Sequence, residues 1–441
     1  MDAPRETSGF AEDCERYSRY WASAAARLAK LPPKPSRGAE QAREAGKILR
    51  ETREARSRFL AAHAGAVYDR LTGNRSRFVR VEDLVYDAAA VAPGLVPTRE
   101  QVDAESARAQ RDKDGIEIDQ GIFASAVLAD AASGRHLCHA MLLPRAESLE
   151  RLKELEANGR VDLGAAEVIR EGKASYVVQK NPRHLNAEDN TTLDAAEIAT
   201  DLAILDPETA ICVLRGDVVQ SGKFSGRRVL GSGINLTHLY HGKISYVWYI
   251  KRDMGLVNKL FRGVAQADKN PDEVYGGTNE KPWVGAVEGF AIGGGCQLLL
   301  ALDYVLAAGD AYMTLPARKE GIIPGAANLR LWRFTGDRIA RQAILYGRRL
   351  DCDTPEGKLI CDEVAPAAAF ETALDTVVEG FTCSGVVSAA GNRRAIRVSE
   401  EPLDLFRRYM AVYAREQAYC HFSPALMANL ERHWNAQNRK P

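Results

Sequence analysis

Three consecutive glycines, Gly293, Gly294 and Gly295, stand in VEGFAIGGGCQLLLALDYVLA, residues 287–307. Glycine carries no Cβ, so such a run lets the backbone approach a ligand or a packed neighbour closely. Its place after the strand pattern KPWVGAVEGF and before the helix pattern QLLLALDYVLA adds a chemical reading. Backbone N–H groups at a helix start have no intrahelical acceptor and point at developing negative charge. That is one half of an oxyanion hole; close helix–strand packing is the competing structural explanation.

Other chemistry-bearing residues form weaker patterns. HLCHAM, residues 136–141, brings His136 and His139 near one helical face beside Cys138, but no second cluster supplies further metal ligands, and packing is the better reading. DKDGIEID, residues 112–119, resembles half a calcium loop, yet the acid required six residues after the glycine is Gly121 here, so a surface turn is expected. No GxSxG elbow, P-loop or GxGxxG opening a helix occurs.

The elements that must position these residues divide the chain. The first third reads as helical: EQAREAGKILRETREARSRFLAAHAGAVYDRL repeats apolar residues at three and four, KLPPKPSRG breaks the pattern, and ESLERLKELEANG carries Leu149, Leu152 and Leu155 on one stripe with Gly159 as its stop. From about Lys173, the runs ASYVVQKN, TAICVLRG and KPWVGAVEGF alternate with helical patterns such as LDAAEIATDLAIL, which predicts a largely parallel, buried sheet. Residues 263–281 are the longest loop candidate. After about Leu350 the helical pattern returns, ending in YMAVYAREQAYCHFSPALMANLERHW. The expected domains are therefore a helical one over 1–172, an α/β core over 173–345, and a C-terminal helical region over 346–441 that covers the core and mediates assembly.

At 441 residues the chain exceeds the size at which one core stops growing. Lys plus Arg and Asp plus Glu both number 59, so no overall field favours nucleic acid or an anionic membrane. Apolar runs are too short to span a bilayer, the start lacks an apolar signal region, and the eight cysteines are scattered without a CxxC pair. A cytoplasmic protein with reduced thiols is expected.

Four stretches in order, NPRHLNAEDN from Asn181, GSGINLTHL from Gly231, the glycine segment, and LPARKEGIIPGAANLRL from Leu315, followed by LDCDTPEGKLICDEV, resemble the crotonase (enoyl-CoA hydratase/isomerase) superfamily. The resemblance covers roughly Lys173 to the C-terminus. It implies an α/β fold with a crotonase-like spiral ββα core, to which this chain adds an all-helical N-terminal domain and C-terminal helices. It also implies that a thioester carbonyl sits between the main-chain amides of Ile234 and Gly294, with Gly233 and Asn235 beside them. Removing a proton next to a thioester moves charge onto its oxygen, and preorganised donors stabilise that enolate.

Hydratases of the superfamily carry glutamates where this chain has Gln297 and Ala317, and neither residue exchanges a proton as a carboxylate does. With the long N-terminal extension, this departure narrows the resemblance to the dioxygenase branch acting on (3,5-dihydroxyphenyl)acetyl-CoA in glycopeptide-antibiotic pathways, which uses neither metal nor flavin. The resemblance implies O2 and an arylacetyl-CoA as substrates, and a homohexamer built as a dimer of trimers. It assigns Gln297 as a neutral hydrogen-bonding group, Glu188 and Arg252 to the ring hydroxyls, Ile322 to an oxygen pocket, and Arg183 to the coenzyme A phosphates. Glu188 as a helix cap, Arg252 in a salt bridge and Arg183 as a solvated surface residue are the plainer alternatives. Glu188, His238 and Glu320 are each open as the proton-abstracting base. A crotonase-fold hydrolase or isomerase that never uses O2, and a catalytically silent scaffold, are the competing functions.

Overall fold

The computed structural model describes residues 4–7, 9–274, 276–383 and 387–440. Among them the strands are β1 (Arg160–Asp162), β2 (Ala166–Glu171), β3 (Ala174–Gln179), β4 (Ile211–Gly216), β5 (Val264–Ala265), β6 (Thr278–Asn279), β7 (Trp283–Val287), β8 (Phe290–Ile292), β9 (Tyr304–Ala308), β10 (Tyr312–Thr314), β11 (Leu350–Asp351) and β12 (Glu363–Ala365). A seven-stranded sheet runs in the order β1-β2-β3-β4-β7-β9-β12. Its pairs from β3 to β12 are parallel, while β1, β2 and β3 are antiparallel neighbours.

The sequence explains the parallel part. Every residue of β3, β4 and β7 is buried, as expected for Val- and Ile-rich strands covered on both faces. The helix Leu193–Leu205 returns the chain from β3 to β4 and contributes Ile198, Ala199, Leu202 and Ala203 to the core. A second, three-stranded sheet runs β11-β10-β8, with β8 and β10 parallel. It holds the strand that leads directly into the glycine segment. The architecture is α/β with a crotonase-like core and additional helical regions towards both ends.

The chain forms two compact units. One comprises the described residues of 142–236 and 252–403 and contains the sheets. The other comprises those of 1–141, 237–251 and 404–441 and is helical. In it the 34-residue helix Ala39–Thr72 is the spine on which Phe10–Leu28, Val81–Val91 and Ile118–Ala129 pack. Tyr17, Trp21 and Phe59 form its aromatic centre, with ring centroids 5.3 to 5.6 Å apart.

Several expectations need correction. A domain boundary at 172/173 falls inside the sheet, between β2 and β3, because Gly172 (φ 57°) turns a hairpin that has little helix-period contrast. QLLLALDYVLA is not one helix: Gly294–Leu299 is helical, and Tyr304–Ala308 is β9, a central strand between β7 and β12. A short apolar run reads alike in a buried helix and a buried parallel strand. Beyond Leu350, β11 and β12 precede the helices, and Leu149 is 53% exposed while Leu155 is buried. Within the loop candidate 263–281, β5 pairs with β6; Tyr275 lies outside the described residues.

DKDGIEID is not a surface turn. Lys113, Glu117 and Asp119 are buried, Lys113 Nζ donates to the Gly242 carbonyl at 2.8 Å, Arg37 Nη2 donates to Asp114 at 2.9 Å, and Arg56 Nη2 lies 3.1 Å from Asp119. These partners come from distant parts of the chain, which is why the segment reads as solvated in isolation. In HLCHAM, His136 bonds the Tyr68 hydroxyl through Nδ1 at 2.7 Å and the Arg75 carbonyl through Nε2 at 3.0 Å, and stacks on Phe78.

Candidate active site

Three backbone segments are stitched side by side. Leu230 N–H donates to the Phe290 carbonyl at 3.2 Å, and Ile292 N–H donates to that of Gly231 at 2.9 Å, so the GSGIN segment runs parallel to β8. On its other side Glu188 N–H donates to the Gly233 carbonyl, and Asn235 N–H donates to the Glu188 carbonyl, each at 2.8 Å. This alternation leaves the N–H of Ile234 out of the ladder, as parallel pairing requires of every second residue. Gly293 N–H is taken by the Thr314 carbonyl at 2.8 Å, and Gly294 then opens the helix Gly294–Leu299. Among the described residues no hydrogen bond occupies the N–H of Ile234 or of Gly294.

The close approach depends on glycine. Gly233 has φ 81°, and a Cβ there would lie 3.1 Å from Gly294 N and 3.1 Å from the Ile292 carbonyl oxygen. Gly293 has φ 52° and faces Gly233 Cα across 3.4 Å from its own Cβ position. The two segments expected to supply an oxyanion hole therefore abut through glycines with no side chain between them.

Beside this turn lies a charged cluster. Arg252 ends the helix Tyr246–Arg252 and is 2% exposed. Its Nε and Nη2 donate to the two carboxylate oxygens of Glu188 at 2.7 and 2.9 Å, a bidentate fork. Nη1 donates to Gln297 Oε1 at 2.8 Å, and Nη2 also reaches the Gly294 carbonyl at 3.1 Å. One guanidinium thus connects Glu188, Gln297 and the glycine turn. Asp253, buried next to it, accepts from Ala326 N–H at 3.3 Å and anchors the loop carrying Ile322. A Cβ on Gly325, at φ 44°, would lie 2.6 Å from both Asp253 Oδ1 and Gln297 Oε1.

Ala317 is buried at the start of the short helix Ala317–Glu320, so that position presents a methyl group. At the end of the same helix, burial pushes the Glu320 carboxyl up to about 7. Its Oε1 lies 3.9 Å from the Cβ position of Gly293.

Of the residues named from sequence, Glu188, Gly233, Ile234, Arg252, Gly294 and Gln297 come together through the contacts above. Asn235 is buried and its side-chain amide donates to Asp189 at 3.0 Å, tying two of the stitched segments together. Ile322 is half-buried in the loop between Gly321 and Gly325. Arg183 is exposed on the turn Pro182–His184, and His238 belongs to the helical unit. Sequence reading missed Asp253; its signal was the charged pair Arg252–Asp253 inside the apolar run YVWYIKRDMGLV.

A family model described as enoyl-CoA hydratase/isomerase matches residues 267–383. The (3,5-dihydroxyphenyl)acetyl-CoA 1,2-dioxygenase of Amycolatopsis orientalis is 45% identical over 389 residues, 88% of this chain and 88% of that protein. A probable enoyl-CoA hydratase of Rhizobium meliloti (strain 1021) is 34% identical over 143 residues, 31% of this chain and 56% of that one. An enoyl-CoA hydratase structure from Mycobacterium avium subsp. paratuberculosis K-10 shares the fold, with a TM-score of 0.50 at 21% identity, over 61% of this chain and 98% of that one. With core topology, glycine turn and near full-length likeness in agreement, the chain belongs to the crotonase superfamily and, within it, to the family of the Amycolatopsis orientalis relative.

Proposed function

We propose that the chain is a dioxygenase converting (3,5-dihydroxyphenyl)acetyl-CoA and O2 into 3,5-dihydroxyphenylglyoxylate and coenzyme A, with no metal or flavin required. The observation that carries the reading is the Arg252 fork. It supports a neutral, hydrogen-bonding Gln297 beside the glycine turn, where a water-adding relative needs a carboxylate. That arrangement suits recognition of phenol hydroxyls and offers no acid–base pair for hydration.

In this reading the thioester oxygen lies between the amides of Ile234 and Gly294, each contributing roughly 3–4 kcal/mol to the enolate by analogy with other oxyanion holes. Glu188, Arg252 and Gln297 recognise the dihydroxyphenyl ring. Ile322 lines the oxygen pocket, Gly233 and Asn235 shape the hole, and exposed Arg183 meets a coenzyme A phosphate. The electron-rich enolate donates an electron to O2. Both oxygen atoms enter the products, since the arylglyoxylate carries one in its ketone and one more in its carboxylate than the thioester had.

The protein works in the cytoplasm as a dimer of trimers; among the described residues no helix is long and apolar enough to cross a membrane. Purified, chelator-treated protein given the thioester should consume O2 and release free thiol in equal amounts, and labelled dioxygen should place two labelled atoms in the acid. Undiminished thiol release without O2 marks a hydrolase instead and overturns the proposal.

A further inference from the structure

The reaction proposed above requires a base for the carbon next to the thioester. We propose that Glu320 is that base, its carboxylate taking the α-proton while the C–H electron pair moves into the enolate held at the amides of Ile234 and Gly294. The inference rests on the arylacetyl-CoA reading and goes beyond it.

Placement is the first argument. Glu320 Oε1 lies 3.9 Å from the point a Cβ on Gly293 would occupy, and that same point is 3.4 Å from Gly233 Cα. The carboxyl therefore borders the crevice where the two glycine segments meet. It reaches this crevice from the helix Ala317–Glu320, a different element from the one carrying Gln297.

Commitment of the alternatives is the second. Both oxygens of Glu188 accept from Arg252, so its carboxylate is already engaged in the fork. Asp253 holds the Ala326 amide. Glu320 has neither restraint: it is 8% exposed, and among the described residues no hydrogen bond or ion pair reaches its carboxyl. A buried carboxyl with no partner costs stability, and such groups cluster at functional sites.

Its titration agrees. Burial alone raises it to about 7, close to the range in which a general base works well. The charged and titratable groups on surrounding elements are Arg318 and Lys319 on its own turn, Tyr346 on the stretch packed against that turn, and Arg252, Glu188 and Asp253 across the glycines.

Proton transfer is separable from oxygenation. In D2O without O2, the full-length protein should exchange deuterium into the α-position of (3,5-dihydroxyphenyl)acetyl-CoA, read by mass spectrometry. Glu320→Gln should slow exchange about 100-fold or more, the usual contribution of a general base. Its thioester Kd should stay within about threefold, and Glu320→Asp should recover part of the rate. Wild-type exchange should rise with pH through about 7, and this limb should vanish in Glu320→Gln. Exchange in Glu320→Gln within threefold of wild type, or its loss in His238→Gln alone, overturns the assignment while leaving the dioxygenase reading intact. A wild-type protein that neither binds nor deuterates the thioester sinks both.

Discussion

At the scale of single residues, the tightest constraint is at Gly294. A methyl there would overlap Glu188 Oε2 and press on Arg252 Nη2, so Gly294→Ala must displace the fork as well as narrow the crevice. Loss of one hole donor's alignment is worth about 10²–10³ in rate, and kcat/KM for the thioester should fall by at least 100-fold while thermal unfolding remains cooperative. The fork itself is a buried pair. Arg252→Ala should destabilise the protein by about 3–5 kcal/mol, because it strands the Glu188 carboxylate, and the Arg252→Ala/Glu188→Ala double variant should recover part of that loss in urea melts. At Glu320 the sign is opposite. Its folded titration lies above its unfolded value of 4.5, so the protonated form is the one folding favours, and stability falls as pH rises from about 4.5 towards 7. The gap in Tm between Glu320→Gln and wild type should therefore widen in favour of the variant from pH 5 to pH 8. A gap that is flat or narrows contradicts a buried, unpartnered carboxyl.

At the scale of elements, the helix Leu193–Leu205 was readable because 13 residues rich in Ala and Leu run without Gly or Pro, and β3, β4 and β7 because β-branched runs are bounded by turn residues. The strand β9 was hidden for the reason already given, since nothing in Leu298 to Ala308 distinguishes a helix that stops from one that continues. The ion pairs that lock elements together were equally hidden, because partners far apart in sequence leave no periodic mark. Lys259 illustrates this: fully buried, its Nζ lies 2.8 Å from both Glu197 on the helix Leu193–Leu205 and Asp201 one turn on. Burial raises the Asp201 carboxyl, and Lys259 opposes that rise. Lys259→Met removes the cation that both acids share, leaving only Arg145, 3.5 Å from Glu197, and should cost about 3–5 kcal/mol. The loss should be larger at pH 8 than at pH 5, where protonation relieves it, and denaturant titration at the two pH values checks this.

At the scale of the molecule, the helical unit is assembled from three separated stretches, an arrangement that composition along the chain does not reveal. The four motifs of the core were legible because they follow one another in a fixed order and three of them combine glycines with apolar residues; Arg252 and Glu188 emerged only through the family likeness. Surface apolarity adds an expectation about assembly. Trp332, Leu345 and Tyr346 are 52%, 63% and 72% exposed on adjoining stretches of the sheet-containing unit, more than solvation alone would favour. Native mass spectrometry should give six copies, and Trp332→Lys with Tyr346→Lys should yield smaller species with unchanged far-ultraviolet dichroism. A monomer for the unaltered chain would rule the assembly out.

Arg252 holds Glu188 through Nε and Nη2 and Gln297 through Nη1, and its Nη2 also reaches the carbonyl of Gly294. In the proposed reading, preference for an aromatic acyl group and speed of turnover are thereby tied to one side chain. Laboratory evolution towards bulkier or less hydroxylated acyl groups should find the two traits hard to separate. Variants of broadened appetite will turn sluggish even on the original compound, until a second substitution props up the glycine bend independently.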